Sequence, residues 1–531
     1  MKRNIFYQLF YPKKMIKKLM TFNVLIPSLC LGFLFSCSDL LKEEPYGVYS
    51  NDNYFQTEED ALNSVLYAYD PINNIEYCQR FLFYLMDVPT NQYRSYNKAL
   101  ETPLFNWEIN PNADEFTYFF KYAYLSINRA NNVLENVSKM NNITERAKQQ
   151  YLGEAYFLRA FNYFMLVRTF GEVPLHDKVV ESITQTRASY ASLDKLYSFI
   201  IEDLEKAIDM MSISKQQGRA DKVAAQSLLS KVYLTLASSK MTNAPGYDWV
   251  SDYEVMYAKA AEYAFEVVEN QSVYGLDPDL ANVYDVESQS TGIEHIFITS
   301  MSRDGLGEEG NFSQLPQIYT IGLTGVYISK SLTGGGPVMP TLDPRISNWA
   351  VFRVDDAFYD SFDDNDLRKR LMVTTIYNED GSVRARWSKD NLSSTDPVLY
   401  QFYYPFCRKY TDPYSNAHRT SANVYLMRFA EVALTYAEAV GPTKLGYKWV
   451  NNVRARAGLD ELSPGLSVRE FREAIWEELT YELAFEGHGL FELRRINKVM
   501  ENITNKVVNP EYAYFYPIPQ RELDLNPREN N

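Results

Sequence analysis

The stretch Leu196-Tyr-Ser-Phe-Ile-Ile-Glu-Asp-Leu-Glu-Lys-Ala-Ile-Asp-Met-Met211 places apolar side chains at steps of three and four residues. These steps predict a helix with one apolar face, because an α-helix turns once every 3.6 residues. The same steps recur between Ala225 and Leu236 and between Tyr257 and Val268. Pairs of such helices with small inner residues are typical of stacked tetratricopeptide-like hairpins. We therefore predict a mainly α fold built on a tetratricopeptide-like helical hairpin scaffold.

The middle of the chain has a different texture. From about 272 to 421, glycines and prolines interrupt any long period, and short β-like runs such as Ile296-Phe-Ile-Thr299 are present. Helical spacing returns with Leu426, Ala430 and Ala433, and again from Val468 to Met500. We predict one body over 37–531, with a helical part (37–271), a large irregular insertion of loops and short strands (272–421) and a C-terminal helical part (422–531). Binding residues concentrate on loops carried by a rigid scaffold, so 272–421 is the candidate ligand-binding part.

The first segment has the features of an export signal. Residues 1–36 carry six basic residues and no acidic one, and an apolar run leads to Ser36-Cys37. This pattern predicts a secretory signal peptide over 1–36. Leu34-Phe-Ser-Cys37 resembles the bacterial lipobox, in which the cysteine is acylated and becomes the first residue of the mature protein. We therefore expect Cys37 to be lipidated and the body to be tethered to a membrane. Cys78 and Cys407 then remain as free thiols or as one disulfide.

Composition narrows the class of ligand. The chain of 531 residues has 68 acidic and 53 basic side chains, a net charge of −15, which argues against nucleic acid as the main ligand. Its 42 Tyr, 30 Phe and 6 Trp are an unusual share. A sugar ring has an apolar face and a rim of hydroxyls, and it suits an aromatic platform flanked by polar groups. Met86–Tyr96 and Phe105–Asn110 contain this mixture, although such aromatic residues more often form core.

No motif in the sequence predicts catalysis, a metal or a cofactor. Six aspartates between Asp355 and Asp366 could attract a structural Ca²⁺, but the stretch lacks the glycine and final glutamate of a Ca²⁺ loop. The four histidines are far apart and have no partner at metal-ligand spacing. Glycoside hydrolysis needs two carboxylates about 5–9 Å apart, which sequence alone cannot identify. We predict no enzymatic activity and no bound cofactor or metal.

Several stretches together resemble the SusD/RagB family of outer-membrane nutrient-binding lipoproteins. They follow the family order over nearly the whole chain after the signal: Cys37–Pro45, Tyr54–Leu62, Ala155–Leu175, Leu426–Ala439, Val453–Leu459, Glu478–Arg494 and Tyr516–Pro519. Gly489 departs from the pattern, because the family often has a large residue there, and the central region matches little.

The resemblance implies a role at the cell surface. Family members act as a lid over a SusC-like TonB-dependent outer-membrane transporter, to which they deliver oligosaccharides, or in some cases peptides, without cleaving them. Their ligand site lies on loops outside the tetratricopeptide face. By region and residue type, the resemblance implies that the ligand is contacted by Asp87, Arg94, Tyr96, Trp107, Asn110, Tyr327 and Trp349.

The sequence therefore predicts a non-enzymatic glycan-binding lipoprotein, anchored in the outer membrane and facing the cell exterior, with a SusC-like transporter as partner. Three alternatives stay open at this point. The same fold could bind peptides, it could be a surface glycosidase, or it could serve as an assembly scaffold that contacts only the transporter.

We expect the substitution Cys37→Ser to move the protein out of the membrane fraction, because each buried CH₂ of an acyl chain contributes about 0.8 kcal/mol to anchoring. Cell fractionation followed by immunoblotting measures this shift. Cys30→Ser is the matched control, since Cys30 lies within the predicted signal peptide. Equal membrane retention of Cys37→Ser and the unaltered protein would contradict the lipidation of Cys37.

Overall fold

The computed structural model describes residues 54–182, 185–289, 291–303, 312–334 and 336–528. The predicted signal peptide (1–36) and Cys37 lie outside these ranges, so both stay predictions. The residues within these ranges form one compact unit. None of the helices within the described ranges is both long and apolar enough to cross a bilayer.

Helices dominate the described chain, which confirms the mainly α prediction. They are α1 Glu58–Tyr69, α2 Arg80–Met86, α3 Asp114–Val137, α4 Glu145–Phe170, α5 Leu193–Met210, α6 Lys222–Met241, α7 Tyr253–Val268, α8 Leu280–Val283, α9 Leu315–Tyr319, α10 Asp356–Asp360, α11 Pro397–Gln401, α12 Phe429–Val440, α13 Lys444–Arg456, α14 Val468–Glu482, α15 Gly489–Arg495, α16 Val499–Asn502 and α17 Gln520–Leu525.

The strands are short and lie mostly in the predicted irregular part. They are β1 Tyr93–Ser95, β2 Val173–Pro174, β3 Tyr190–Ala191, β4 His295–Thr299, β5 Tyr327–Ser329, β6 Val338–Pro340, β7 Phe352–Val354, β8 Met372–Val373, β9 Thr375–Tyr377, β10 Val383–Arg386, β11 Phe406–Cys407 and β12 Val424–Arg428. They pair as β1–β7, β2–β3, β4–β12 and β8–β11, and as one four-stranded sheet in the order β10-β9-β5-β6.

Successive helices of the first half form the scaffold. Helices α3 to α7 pack in chain order, each against the next, and α7 then packs against α12. Leu196, Ile200, Leu204 and Ala207 are all buried on one face of α5, as their spacing predicts. The predicted helical face is therefore confirmed, and the scaffold is a stack of neighbouring helix pairs.

The C-terminal helical prediction is wrong at two places. Leu426 belongs to β12, whose five residues are all buried and pair with β4, and the helix begins only at Phe429. A short buried apolar run does not distinguish strand from helix by periodicity. The stretch from Val468 to Met500 is also interrupted, because Phe485 and Gly487 have φ of 65° and 78° and turn the chain between α14 and α15.

Carboxylates at and just before this turn form ion pairs inside the core. Arg428 donates to Glu486 with 2.7 Å between Nε and Oε2, and its Nη1 lies 3.1 Å from Glu482 Oε1. Arg456 Nη2 lies 2.5 Å from the same Glu482 oxygen, and Glu294 accepts from both arginines. We call these five side chains the buried ion-pair cluster, because each is enclosed by the protein. Burial alone would raise the pKa of Glu486, but Arg428 and Lys409 lower it to about 2.

Further buried ion pairs join α6, α12 and α15. Glu438 pairs with Arg495 at 2.8 Å, and Lys231 pairs with Glu431 at 3.0 Å and with Glu492 at 2.5 Å. These charged residues thus join packed helices.

Both remaining cysteines are buried and free. This settles the alternative left open by the sequence, because Cys78 and Cys407 form no disulfide. Burial raises the pKa of the Cys407 thiol to about 12, so the thiol stays protonated and unreactive at neutral pH.

We expect Arg428→Met to lower the free energy of unfolding by about 3–5 kcal/mol, because it leaves buried carboxylates without their partner. Chemical denaturation followed by circular dichroism measures the loss. Lys206→Met is the matched control, since it removes an exposed pair with Glu202 (2.7 Å) and should cost less than about 1 kcal/mol. Equal losses for the two variants would contradict the role given to the cluster.

Candidate ligand-binding site

A two-stranded antiparallel ribbon supports the site. In the pairing of β1 with β7, Arg94 lies directly opposite Arg353. Opposite residues of an antiparallel pair share a face, so the two side chains point to the same side of the ribbon. Tyr96 follows β1 and continues the pairing, because its amide donates to the Val351 carbonyl at 2.8 Å. Tyr96 is two residues from Arg94 and therefore shares this face.

Four tyrosines gather beside the ribbon. The ring centroids of Tyr96 and Tyr403 are 5.6 Å apart, those of Tyr400 and Tyr403 6.0 Å, and those of Tyr403 and Tyr404 4.5 Å. Tyr400 is 47% exposed, and the other three are half-buried. We call Tyr96, Tyr400, Tyr403 and Tyr404 the tyrosine cluster. It presents flat rings and hydroxyls together at the protein surface.

Paired charges border the tyrosine cluster. The Arg94 guanidinium lies 5.6 Å from the centre of the Tyr404 ring. It also pairs with Asp355 at 2.9 Å and with Asp356 at 3.1 Å, while Lys389 contacts Asp356 at 3.2 Å. Burial alone would raise the pKa of Asp356, but Lys389 and Arg94 hold it below its ordinary value. The carboxylate is therefore ionised and engaged near neutral pH.

The backbone of Trp349 is hydrogen-bonded to the residue that follows Tyr96. Its carbonyl accepts a hydrogen bond from Asn97 Nδ2 at 3.1 Å, and Asn97 directly follows Tyr96. The indole is 36% exposed. Of the seven residues implied by the family resemblance, the fold thus brings Arg94, Tyr96 and Trp349 together.

Asp87 and Trp107 lie in the core, which corrects their predicted ligand role. Asp87 is fully buried, and its two carboxylate oxygens accept from the amides of Gly487 at 2.7 Å and Gly489 at 2.9 Å. Burial raises the pKa of Asp87 to about 7. Trp107 is 3% exposed, and its indole donates to the Pro89 carbonyl at 3.0 Å. Neither side chain offers a face to a ligand.

The fold accounts for the departure at Gly489. A Cβ atom on this residue would lie 2.6 Å from Gln92 Nε2 and 3.2 Å from Asp87 Oδ1. These distances are shorter than ordinary contacts, so the Gln92 and Asp87 side chains would have to move to admit a Cβ atom. Glycine at 489 leaves room for the Asp87 carboxylate to accept a hydrogen bond from its amide, and a large residue there would displace that carboxylate.

Asn110 and Tyr327 have other neighbours. Asn110 is exposed and accepts a hydrogen bond from the Asn112 amide at 3.0 Å. Tyr327 is half-buried in the four-stranded sheet, where it faces Pro340 and Tyr377 in the register. Within the described ranges, no hydrogen bond or ring contact joins either residue to the tyrosine cluster, so their ligand role stays a prediction.

Comparison with known proteins agrees with this architecture. A family model described as starch-binding and associating with the outer membrane matches residues 43–234, and the SusD family model matches residues 338–513. The chain belongs to the SusD/RagB family. SusD-like protein P2 of Formosa agariphila is 27% identical to it over 546 residues, which cover 96% of this chain and 98% of the relative.

Solved SusD structures share the fold. A SusD superfamily protein from Parabacteroides distasonis has a TM-score of 0.73 at 22% identity, covering 89% of this chain and 98% of that one. Surface glycan-binding protein A from Bacteroides thetaiotaomicron, in complex with laminarihexaose, has a TM-score of 0.67 at 20% identity, covering 88% and 98%. At these identities the likeness shows the SusD fold and confirms the predicted architecture.

Three residues of the tyrosine cluster were missed from the sequence. Tyr400, Tyr403 and Tyr404 stand close together in the irregular part, and this local density of aromatic residues was the available signal. Their meeting with Tyr96 depends on the β1–β7 pairing, which joins segments roughly 250 residues apart in this SusD/RagB chain and leaves no periodic mark.

The aspartates between Asp355 and Asp366 serve the backbone and neighbouring cations. Asp355 accepts from the amides of Ala357 and Phe358 at the start of α10, and Asp366 pairs with Arg368 at 2.8 Å. In the part of the chain that the structure describes, no three His, Cys, Asp or Glu side chains form a group able to hold a metal.

We expect Trp107→Ala to lower the free energy of unfolding by about 3–5 kcal/mol, because it opens a cavity in the core. Tyr400→Ala, at a 47% exposed position, should change it by less than about 1 kcal/mol. Denaturant titration of the two variants measures the difference. A Trp107→Ala protein as stable as the unaltered one would return the indole to the list of candidate ligand contacts.

Proposed function

We propose that this SusD/RagB protein binds glycans at the tyrosine cluster on the outer face of the outer membrane. In this proposal, Cys37 carries the lipid anchor, and a SusC-like TonB-dependent transporter receives the glycan. The protein acts as the lid of the transporter and does not cleave its ligand.

The tyrosine cluster is the observation that carries this proposal. Exposed and half-buried rings with centroids 4.5–6.0 Å apart form a surface on which the apolar faces of successive sugar rings can stack. The tyrosine hydroxyls, Asn97 and Arg94 supply hydrogen-bonding groups at the rim. The complex of the Bacteroides thetaiotaomicron relative with laminarihexaose supports a glycan as the class of ligand.

The charges beside the cluster favour binding over hydrolysis. Glycoside hydrolysis needs a carboxylic acid whose pKa is raised so that it can donate a proton. Asp356 has the opposite shift, and Asp355 and Asp356 are both held by Arg94. This arrangement supports the proposal that the site holds a glycan without cutting it.

The anchor and the transporter rest on other support. Leu34-Phe-Ser-Cys37 resembles a lipobox, and the family model that matches 43–234 is described as associating with the outer membrane. Copurification of the tagged protein with a barrel transporter from solubilised outer membranes tests the partnership, and recovery of the protein alone would argue against it.

We expect isothermal titration against a panel of soluble glycans to show binding, and Tyr400→Ala to weaken it about 2- to 12-fold, the range given by the loss of one stacked ring. Tyr67→Ala is the matched control, because Tyr67 is 59% exposed and lies on α1, away from the cluster. Failure of every glycan to bind would overturn the proposed function. Binding of protein digests in place of glycans would favour the peptide alternative.

A further inference from the structure

A buried cation lies directly beneath the tyrosine cluster. Arg353 is fully buried in β7, with its side chain on the same face of the ribbon as Arg94. The centre of its guanidinium lies 4.5 Å from the centroid of the Tyr96 ring. Tyr96 packs in turn against Tyr403. The fully buried guanidinium therefore packs against a tyrosine ring that is itself half-buried and that contacts a second half-buried ring.

Arg353 has fewer partners than its burial requires. Its Nη1 donates to the Thr320 carbonyl at 2.5 Å and to the Phe352 carbonyl at 3.2 Å. Nε and Nη2 are buried and find no acceptor within the described ranges, and no carboxylate there is among the groups that act on the side chain. Buried polar groups in folded proteins are nearly always hydrogen-bonded, so two orphaned donors on one cation need an explanation.

Other buried arginines of this chain show what full pairing looks like. Arg428 is surrounded by carboxylates. Arg408 lacks a carboxylate, but its Nη1 and Nη2 donate to the carbonyls of Ser329 and Lys330. Burial lowers the pKa of the Arg353 guanidinium to about 10, so the group is still charged at neutral pH. Its charge is therefore retained without compensation at the base of the candidate site.

The neighbouring carboxylates do not satisfy this charge. Asp355 and Asp356 bind Arg94, and Lys389 binds Asp356 and Asp360. An anion that approaches the tyrosine cluster thus meets carboxylates already neutralised by cations, and one guanidinium with free donors behind a ring.

We propose that Arg353 binds the acidic group of a charged glycan, a uronic acid carboxylate or a sulfate ester, once the Tyr96 ring turns aside. This inference rests on the proposed function and names its class of substrate. A guanidinium presents paired N–H donors that match the oxygens of a carboxylate or sulfate. The bound anion supplies the missing acceptors for Nε and Nη2, and the displaced ring remains available to stack on the sugar. The site thereby selects acidic over neutral glycans.

Matched polymer pairs test the selectivity. The probes are polygalacturonate with its methyl ester, hyaluronan with its carboxyl-reduced form, and dextran sulfate with dextran, each measured by affinity electrophoresis. We expect at least one acidic member to bind about tenfold more tightly than its neutral partner, the effect of charge-assisted hydrogen bonds. The first two pairs report on carboxylates and the third on sulfate.

Three variants locate the selectivity. Arg353→Met should reduce the preference to about twofold or less and leave the fold intact, because an apolar chain of similar volume replaces an unsatisfied buried charge. Arg386→Met removes the same charge from an exposed position and should keep the preference. Tyr96→Ala uncovers the guanidinium and should raise the ratio of acidic to neutral affinity, which gives an independent reading if Arg353→Met fails to fold.

The outcomes separate the two levels of the proposal. Equal binding of both members of every pair overturns the role of Arg353 and leaves glycan binding in place. Failure of all six polymers and of the neutral glycan panel overturns the proposed function itself. An acidic preference that survives in Arg353→Met overturns the inference, and its loss in Arg386→Met would then assign the preference to surface charge. An unchanged or lower ratio of acidic to neutral affinity in Tyr96→Ala overturns the inference as well.

Discussion

Three carboxylates converge on the guanidinium of Arg428 deep inside the protein. Burial of any one of these charged groups without a partner of opposite charge would cost several kcal/mol of desolvation free energy. The burial of one therefore requires the burial of the others. The partners come from separate segments: Arg428 ends β12, Glu294 precedes β4, Arg456 ends α13, Glu482 ends α14, and Glu486 lies in the turn that follows α14. The cluster therefore ties the C-terminal helices to the strand pair of the irregular part.

This tie explains how long loops can carry a defined surface. Lys409 reaches Glu486 from the irregular part at 2.6 Å, and Arg368 reaches Glu478 at 2.6 Å. Cys407, the last residue of β11, lies two residues before Lys409, and Tyr404, the last tyrosine of the cluster along the chain, lies three residues before Cys407. The segment that carries Tyr400, Tyr403 and Tyr404 is thus fixed at its end by the Lys409–Glu486 ion pair, and Tyr96 is fixed by the β1–β7 ribbon. Loops fixed in this way can present side chains with little loss of freedom on binding.

Sequence reasoning succeeded where local physics decides the outcome. The spacing of Leu196, Ile200 and Leu204 is enough to predict their buried helical face. It failed where distant contacts decide. Trp107 and Asp87 have the composition of a sugar site, but burial depends on what packs over them. Arg353 carried no signal, and the aromatic density around Tyr403 does not say which residues it meets, because only the ribbon register and the loop after α11 place them beside Tyr96.

The pairing of Arg94 with Arg353 constrains how this surface can diversify among related chains. Side chains on a strand alternate between the two faces of a ribbon. Gain or loss of one residue within β1 would therefore move side chains such as those of Arg94 and Tyr96 to the other face of the ribbon, away from their present neighbours. Exchange of one side chain for another leaves the register intact and alters only the chemistry displayed. Evolution of new specificities at this ribbon is accordingly expected to proceed by point changes at constant strand length, with insertions confined to the flanking loops.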